Sequence, residues 1–495
     1  MRFLFALFLF SISAQAAKLE GLEPKIDKYI KENQEVDNVG IAVGIVHKGE
    51  LVFFKGYGYR DRANKLPVTP NTLFRIASNT KSFMATSLAM AEEKGKVNLE
   101  VPVRDVLPDF KLENEDISNQ ATLVDLLSHR VGLPRHDAFW YFTPFTRAEL
   151  FSKLQYLEMN KNAGAGFREM WQYNNLMYMT LGIVGEKISG LSWDNLIKTE
   201  ILSPLNMTNT MFTIAEMQNS SDYAFPYAKK ELLALKPYEA MTAAGAMVSN
   251  TNDLVKWVRL FLSNGKTTDG TQIISLATIE KMFQVESIST GELPVKYCRG
   301  WFINEIAGHK LLWHGGNIDG YSSIASFMPD ADLGVIVLVN QTAGIQFQLP
   351  FPLMEDGKIR KFLPLIIYEH LLDQQEAALQ AFKVSSLNDV LMIDTKKSLL
   401  KQNSVKKFSV LNTGAKTMLG TFTHPAYGDL ELYNDLTGNL RMNYYGNDWK
   451  LIPTSTIDVY HAEDLGIKVT VQRTGKQIST VLVPFEPSVS DIRFR

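Results

Sequence analysis

Ser78 and Lys81 are the residues whose types and spacing point most directly to chemistry, standing one helical turn apart in Ser78-Asn79-Thr80-Lys81. At i,i+3 spacing a hydroxyl and an amine rise on one helix face, Cβ atoms roughly 5–6 Å apart, so the amine can take the hydroxyl proton. This is the S-x-x-K form of serine-nucleophile chemistry. Burial and the positive end of a helix both disfavour an ammonium, which leaves Lys81 able to accept a proton. The Ser78 N–H, free at a helix start, is a candidate oxyanion donor. The same spacing recurs at Ser263/Lys266, Ser398/Lys401 and Ser404/Lys407. Those pairs fall in a Ser-Asn-Gly turn and in a Lys-rich polar stretch that offers no pocket. Ser78 instead precedes Phe83-Met84-Ala85 through Met90-Ala91 and a Gly95 stop, the pattern of a buried helix.

Two later segments carry compatible chemistry. Tyr173, in Trp171-Gln172-Tyr173-Asn174-Asn175, stands just before an apolar run from Leu176 to Ile188, with Asn174 or Asn175 as the helix N-cap. A phenol held in a rigid turn near an ammonium titrates lower and can act as general acid or base. Leu311-Leu312-Trp313-His314-Gly315-Gly316 ends a strand in a polar residue and two glycines. Glycine there lets a substrate backbone approach the strand, and the Asn317 N–H is a second candidate oxyanion donor. Tyr445-Gly446-Asn447, His47-Lys48-Gly49 and Arg473-Thr474-Gly475 show that each pattern also arises in plain turns. The weight therefore rests on the order of the three segments.

In that order they resemble the serine β-lactamase and penicillin-binding-protein-like hydrolases, whose motifs are S-x-x-K, Y-x-N and K-T-G or H-x-G. Phe74-Arg75-Ile76-Ala77, the stretch Leu126 to Pro134, the stretch Ala243 to Ser249 and Arg299-Gly300-Trp301 are also similar to recurring segments of that family. The resemblance extends over residues 20 to 380, and the β-rich tail resembles the lipocalin-like domain appended to some members. It implies Ser78 as acylated nucleophile, Lys81 as proton acceptor and Tyr173 as proton relay. Asn175 would hydrogen-bond the substrate amide and Lys81, His314 and Gly316 would line the substrate site, and the Ser78 and Asn317 amides would hold the oxyanion. The implied reaction is acyl transfer through an acyl-enzyme that water resolves, with no cofactor and no metal. His309 and His314 have no zinc-ligand spacing.

His314 stands where the lactamase branch has lysine. With an unperturbed pKa of about 6.5, a histidine anchors a carboxylate weakly and becomes cationic only as pH falls. The histidine form resembles the esterase and D-aminopeptidase-like members. The expected function is an exported serine hydrolase of a peptide, amide or ester, with D-amino-acid peptides the leading substrates. A β-lactamase or D,D-carboxypeptidase on the same site is one rival. A non-catalytic cell-wall-binding or sensor protein is the other.

The elements that must position these residues follow from length and pattern. A chain of 495 residues exceeds one compact core. With 51 basic and 53 acidic residues it carries no electrostatic footprint for nucleic acid, and a small-molecule or peptide substrate, cell-wall material included, is the expected partner. Arg2, the apolar run Phe3 to Ile12 and Ala14-Gln15-Ala16 read as an export signal cleaved after Ala16, which implies a periplasmic or secreted protein. The run is too short to span a bilayer and no later one approaches ~20 residues, so no transmembrane anchor is expected after cleavage. Cys298 is the only cysteine, which excludes an intramolecular disulfide and suits a packed thiol.

Val39 to His47 and Leu51 to Tyr59 read as a hairpin about Lys48-Gly49, and His309 to Trp313, Tyr321 to Met328 and Leu333 to Asn340 as a second strand cluster. Between them Ser78 to Ser263 is mainly helical, and Leu365 to Ala381, opening after Pro364, reads as a closing helix. The fold class is α+β: a β-lactamase/transpeptidase-like antiparallel sheet with flanking helices and a helical subdomain, plus a small all-β, lipocalin-like barrel at the C-terminus. The expected division is a signal peptide at 1–16, the hydrolase domain at 17–382, a polar linker at 383–416 and the β-rich domain at 417–495.

Overall fold

A computed structural model describes residues 21–34, 38–162, 164, 166–288, 296–342, 358–372, 417–463 and 465–495. The expected signal segment, the linker and residues 373–381 of the expected closing helix lie outside the described residues. The described residues divide into two compact units, one drawn from Met1–Leu99, Leu181–Gln346 and Leu353–Leu391, the other from Glu100–Thr180 and Met392–Arg495.

The first unit is built on one antiparallel sheet. Its elements are α1 (residues 21–33), β1 (Ile41–His47), β2 (Glu50–Tyr57), α2 (Thr80–Glu93), α3 (Thr251–Leu262), β3 (Ser287–Ile288), β4 (Lys296–Tyr297), β5 (Phe302–Ile306), β6 (His309–Ile318), β7 (Tyr321–Met328), β8 (Leu333–Val339) and α4 (Lys358–Leu371). Eight strands pair in the order β2-β1-β8-β7-β6-β5-β4-β3, so the N-terminal hairpin docks on β8, from Ile41 opposite Val339 to His47 opposite Leu333. Lys48 and Gly49 both take positive φ, 51° and 72°, as a tight turn between right-twisted strands requires. Leu22, Ile26 and Ile30 of α1 and Leu363, Ile367 and Tyr368 of α4 cover one face, packing on Ile41, Val43, Ile45, Val335 and Val337. The other face meets α3, where Gly44 lies under Thr251 and Gly334 under Val258. Cover on both faces explains why Ile41 to Val46 is continuously apolar rather than alternating.

Two elements depart from the sequence expectation. Strand β6 does not stop at Trp313 but runs through Gly315-Gly316-Asn317-Ile318, and the turn is Asp319-Gly320, between Ile318 and its partner Tyr321. The final helix starts at Lys358 and carries Pro364 in its interior instead of opening behind it. Proline there forfeits a backbone hydrogen bond, and the burial of Leu363, Leu365, Ile367 and Tyr368 offsets the loss.

The second unit combines the segment 100–180 with an eight-stranded barrel. In the former, Leu123–Leu127 and Arg147–Lys153 are short helices opened by capping boxes, Thr122 with Asp125 and Thr146 with Glu149. The barrel strands β9 (Thr417–His424), β10 (Gly428–Asn434), β11 (Leu440–Tyr444), β12 (Asn447–Pro453), β13 (Val459–Ala462), β14 (Ile467–Thr474), β15 (Gln477–Val483) and β16 (Ile492–Phe494) pair in sequence order. Reciprocal backbone bonds between Thr423 and Arg495, 2.7 and 3.0 Å, join the two ends of the meander, which leaves few open strand edges. The segment 100–180 packs on this barrel through aromatic pairs, Phe139 with Tyr427, Phe142 with Trp449 and Phe145 with Tyr445. Among the described residues no helix is long and apolar enough to cross a membrane.

Candidate active site

The turn that presents Ser78 is held by backbone carbonyls. Ala77 takes φ 46°, the left-handed region that costs a non-glycine residue about 1–3 kcal/mol. A 3-10 turn, Ala77–Asn79, follows and leads into α2. The Ile76 carbonyl accepts three donors: the Asn79 N–H at 3.2 Å, Asn79 Nδ2 at 3.3 Å and Ser323 Oγ at 2.8 Å. Asn79 Nδ2 also donates to Ser323 Oγ at 2.8 Å, and Thr80 Oγ1 donates to the Ala77 carbonyl at 2.6 Å. From Thr72 to Met90 every residue is buried except Ser78, so the one opening in this stretch is at the nucleophile residue.

Lys81 is fully buried and lies where the i,i+3 spacing puts it, with Nζ 3.1 Å from Ser78 Oγ. It also donates to the Ala244 carbonyl at 2.7 Å. As an ammonium Lys81 donates to Ser78; as a neutral amine it can accept the Oγ proton across the same distance. The sequence reading did not assign Ala244 a role. Its signal was the small-residue run Ala243-Ala244-Gly245, which lies beside the nucleophile turn: a Cβ on Gly245 would stand 3.5 Å from the Ala77 carbonyl carbon.

Strand β6 supplies the next side of the site. A Cβ on Gly316 would lie 2.0 Å from the Ile76 carbonyl and 2.4 Å from Ser323 Oγ. The space that glycine leaves is thus filled by the protein's own nucleophile turn, whereas the sequence suggested a substrate backbone there. Strand β5 pairs with β6 only as far as Trp313. Counting the antiparallel alternation back from the Ile318–Tyr321 pair that closes the two-residue turn, the Asn317 N–H faces away from β7. Among the described residues no strand pairs with it on that side, which leaves it available to an oxyanion.

His314 corrects a second expectation. It is buried, donates from Nδ1 to the Gly315 carbonyl at 2.7 Å and accepts at Nε2 from the Tyr297 hydroxyl at 3.1 Å, an arrangement that a neutral imidazole satisfies at both nitrogens. Burial, reinforced by the Lys81 charge, pushes its pKa down to about 3. His314 therefore does not become cationic near pH 6.5, because protonating it would place a second positive charge beside Lys81 at a buried position. Tyr297, its partner, went unassigned in the sequence reading. Cys298 is buried and donates Sγ–H to the Trp301 carbonyl, with its thiol pushed above the usual range by burial, as a packed thiol should be.

Tyr173 and Asn175 belong to the second unit. The Tyr173 ring packs 4.3 Å from the His129 ring, and the Arg135 guanidinium stands 5.1 Å from its centre. Asn174 is the N-cap, its Oδ1 accepting the Met177 N–H at 3.0 Å while its Nδ2 donates to the Leu133 and Pro134 carbonyls. Its own N–H donates to His129 Nδ1 at 3.1 Å. Asn175 donates through Nδ2 to Asp137 Oδ1 at 3.3 Å, and Asp137 also receives Arg135 Nε at 2.6 Å and Trp140 Nε1 at 2.8 Å. Ser128 and His129 lie in a turn, and His136 takes the N-cap position of the short helix that Asp137 opens; His129 and His136 take left-handed conformation, and both segments back the Tyr173 turn.

Ser78, Lys81, His314, Gly316 and Asn317 thus share the first unit, while Tyr173 and Asn175 share the second with His129, Arg135 and Asp137. A model of the Beta-lactamase family matches residues 26–349. The unguisins hydrolase ungD' of Aspergillus campestris is 28% identical over 323 residues, 61% of this chain and 58% of that protein. The chain spans 58 to 63% of the length of the curated relatives it matches. The octameric penicillin-binding protein homologue from Pyrococcus abyssi aligns with TM-score 0.62 at 22% identity, over 96% of this chain and 100% of that one. D-amino acid amidase from Ochrobactrum anthropi aligns with TM-score 0.58 at 21% identity, over 72% of this chain and 99% of that one. At these identities the two structures speak to the fold.

Proposed function

Because the chain belongs to the beta-lactamase family, we propose that it is a serine hydrolase in which Ser78 Oγ attacks an acyl carbonyl as Lys81 takes its proton. The Ser78 and Asn317 amides hold the oxyanion. Tyr173 passes the proton to the leaving group, and water then resolves the acyl-enzyme. Asn175 binds the substrate amide, His314 stands on the substrate side, and Gly316 lets β6 close on the nucleophile turn. The observation that carries this reading is the 3.1 Å approach of the buried Lys81 Nζ to Ser78 Oγ, the one residue of its stretch that reaches the surface.

We assign the substrate class from His314. A neutral imidazole offers no cation to a substrate carboxylate, which favours amides, peptides or esters that carry none at that position, D-amino-acid derivatives first among them. The name of the fungal relative, a hydrolase, supports the reaction class alone. The test is a matched panel of D- and L-amino-acid amides, D-Ala-D-Ala peptides, p-nitrophenyl esters and nitrocefin, run against wild type and Ser78→Ala. Turnover of amides or esters that Ser78→Ala abolishes, with nitrocefin and free-carboxylate peptides poor by comparison, is expected. Nitrocefin as the best substrate would overturn the assignment of class.

A further inference from the structure

His136 stands at an unusual crossing in the second unit. It is fully buried, takes φ 47° although it is not glycine, and begins the helix Asp137–Tyr141 with no side-chain cap. What holds it comes largely from the barrel. Its backbone N–H donates to Glu486 Oε2 at 2.9 Å, 350 residues away, and its Nδ1 accepts from the Tyr427 hydroxyl at 2.8 Å, 291 residues away. Its Nε2 donates to the Glu158 carbonyl at 2.9 Å, so the neutral ring is satisfied at both ends. Glu486 is itself 5% exposed and accepts the Ser488 N–H at 3.0 Å. A carboxylate on a backbone N–H is among the stronger hydrogen bonds, and here it secures a conformation the chain would otherwise leave.

The two neighbours of His136 both touch the Y-x-N residues. Arg135 stands against the Tyr173 ring, and Asp137 holds the Asn175 amide. A shift at His136 therefore reaches both contacts at once. We propose that the C-terminal barrel is a positioning part of the Tyr173 limb: Glu486 and Tyr427 act through His136 on Arg135 and Asp137, and so set the placement of Tyr173 and Asn175. This rests on the reading of Tyr173 as the proton relay. Glu486 and Tyr427 are positioning residues, since neither touches the reacting groups.

The test uses the full chain and two matched substrates, a p-nitrophenyl ester whose leaving group needs no proton and an amide whose leaving amine does. Glu486→Ala should lower kcat for the amide about tenfold, leave its KM little changed and spare the ester, a coupling of ordinary size. Glu486→Gln, whose amide oxygen still accepts the His136 N–H, should recover most of the loss. In a Tyr173→Phe background Glu486→Ala should have little further effect on the amide-to-ester ratio, because the relay hydroxyl it positions is gone. Tyr427→Phe, which loses one hydroxyl and no charge, should shift the amide-to-ester ratio the same way and decides the matter if Glu486→Ala does not fold. An unchanged amide-to-ester ratio in the folded variants, with Ser78→Ala inactive, would overturn the positioning role alone. Activity that survives in Ser78→Ala would instead overturn the serine-hydrolase reading beneath it.

Discussion

The corner around Ser78 and the corner around Tyr173 are held by different forces. At Ser78 the fastening groups are neutral: the Ile76, Ala77 and Ala244 carbonyls, the Ser323 and Thr80 hydroxyls, and a glycine that lets β6 close on the turn. At Tyr173 ion pairs are added to the neutral bonds of Asn174. Asp125, fully buried, takes Arg130 Nε at 2.5 Å and Arg168 Nη2 at 2.6 Å, and Asp137 pairs with Arg135. Burial alone would raise the Asp125 carboxyl, but Arg168, the Thr122 N–H and Arg130 hold it below the usual carboxylate range. A neutral, close-packed corner should fail when volume is added. An ionic one should fail when a charge is removed.

The largest effects should come from the two proton-handling residues. Lys81→Met and Tyr173→Phe should each lower kcat/KM by about 10²–10⁴-fold, the scale of a lost general acid or base. If they serve one proton path, the double variant loses little more than the worse single one. A double loss equal to the product of the two would show that the corners act independently. Next, Asp125→Asn should cost about 3 kcal/mol of stability, because it leaves two guanidinium groups facing a site built for a carboxylate. Ser323→Ala, which removes the neutral bonds to the Ile76 carbonyl and from Asn79 Nδ2, should cost about 1–2 kcal/mol. Urea unfolding of both variants checks the pair, and equal losses would erase the contrast.

Added volume should act on the first corner. Gly316→Ala, with its Cβ driven against the Ile76 backbone, should cost about 2 kcal/mol and slow acylation together. Acid probes the same place. His314 titrates near 3 when folded and about 6.5 when unfolded, so below pH 6.5 the unfolded chain binds a proton that the folded one does not. Its contribution is whole above that pH and falls as pH drops toward the folded value, by about 2 kcal/mol at pH 5. His314→Gln should remove that part of the acid loss. His136 and His424, both held low by burial, act with the same sign in the second unit, so the informative quantity is the difference between wild type and variant.

Much of this was legible in the sequence where the pattern is local. The apolar run behind Ser78 gave the helix that carries Lys81, and the β-branched stretches gave β1, β7 and β8 nearly to the residue. Where the reading stopped short, the cause was long-range. Gly315-Gly316 looks like a turn, but β7 pairs with both residues and the nucleophile turn fills the missing side-chain space. Pro364 looks like a helix start, yet packing under the sheet carries the helix through it. The hold of Glu486 and Tyr427 on His136 links residues hundreds of positions apart, and no periodicity announces such a contact. The low pKa of His314 arises from burial and from Lys81, neither of which is visible in Trp313-His314-Gly315.

The most direct test of the central claim is the site of covalent modification. The protein is treated with a fluorophosphonate probe and the labelled peptide is identified by mass spectrometry, for wild type, Ser78→Ala and Lys81→Met. A single adduct on Ser78, absent from Ser78→Ala and formed far more slowly in Lys81→Met, is the predicted result. An adduct on another residue, or one that forms equally fast without Lys81, would contradict the account.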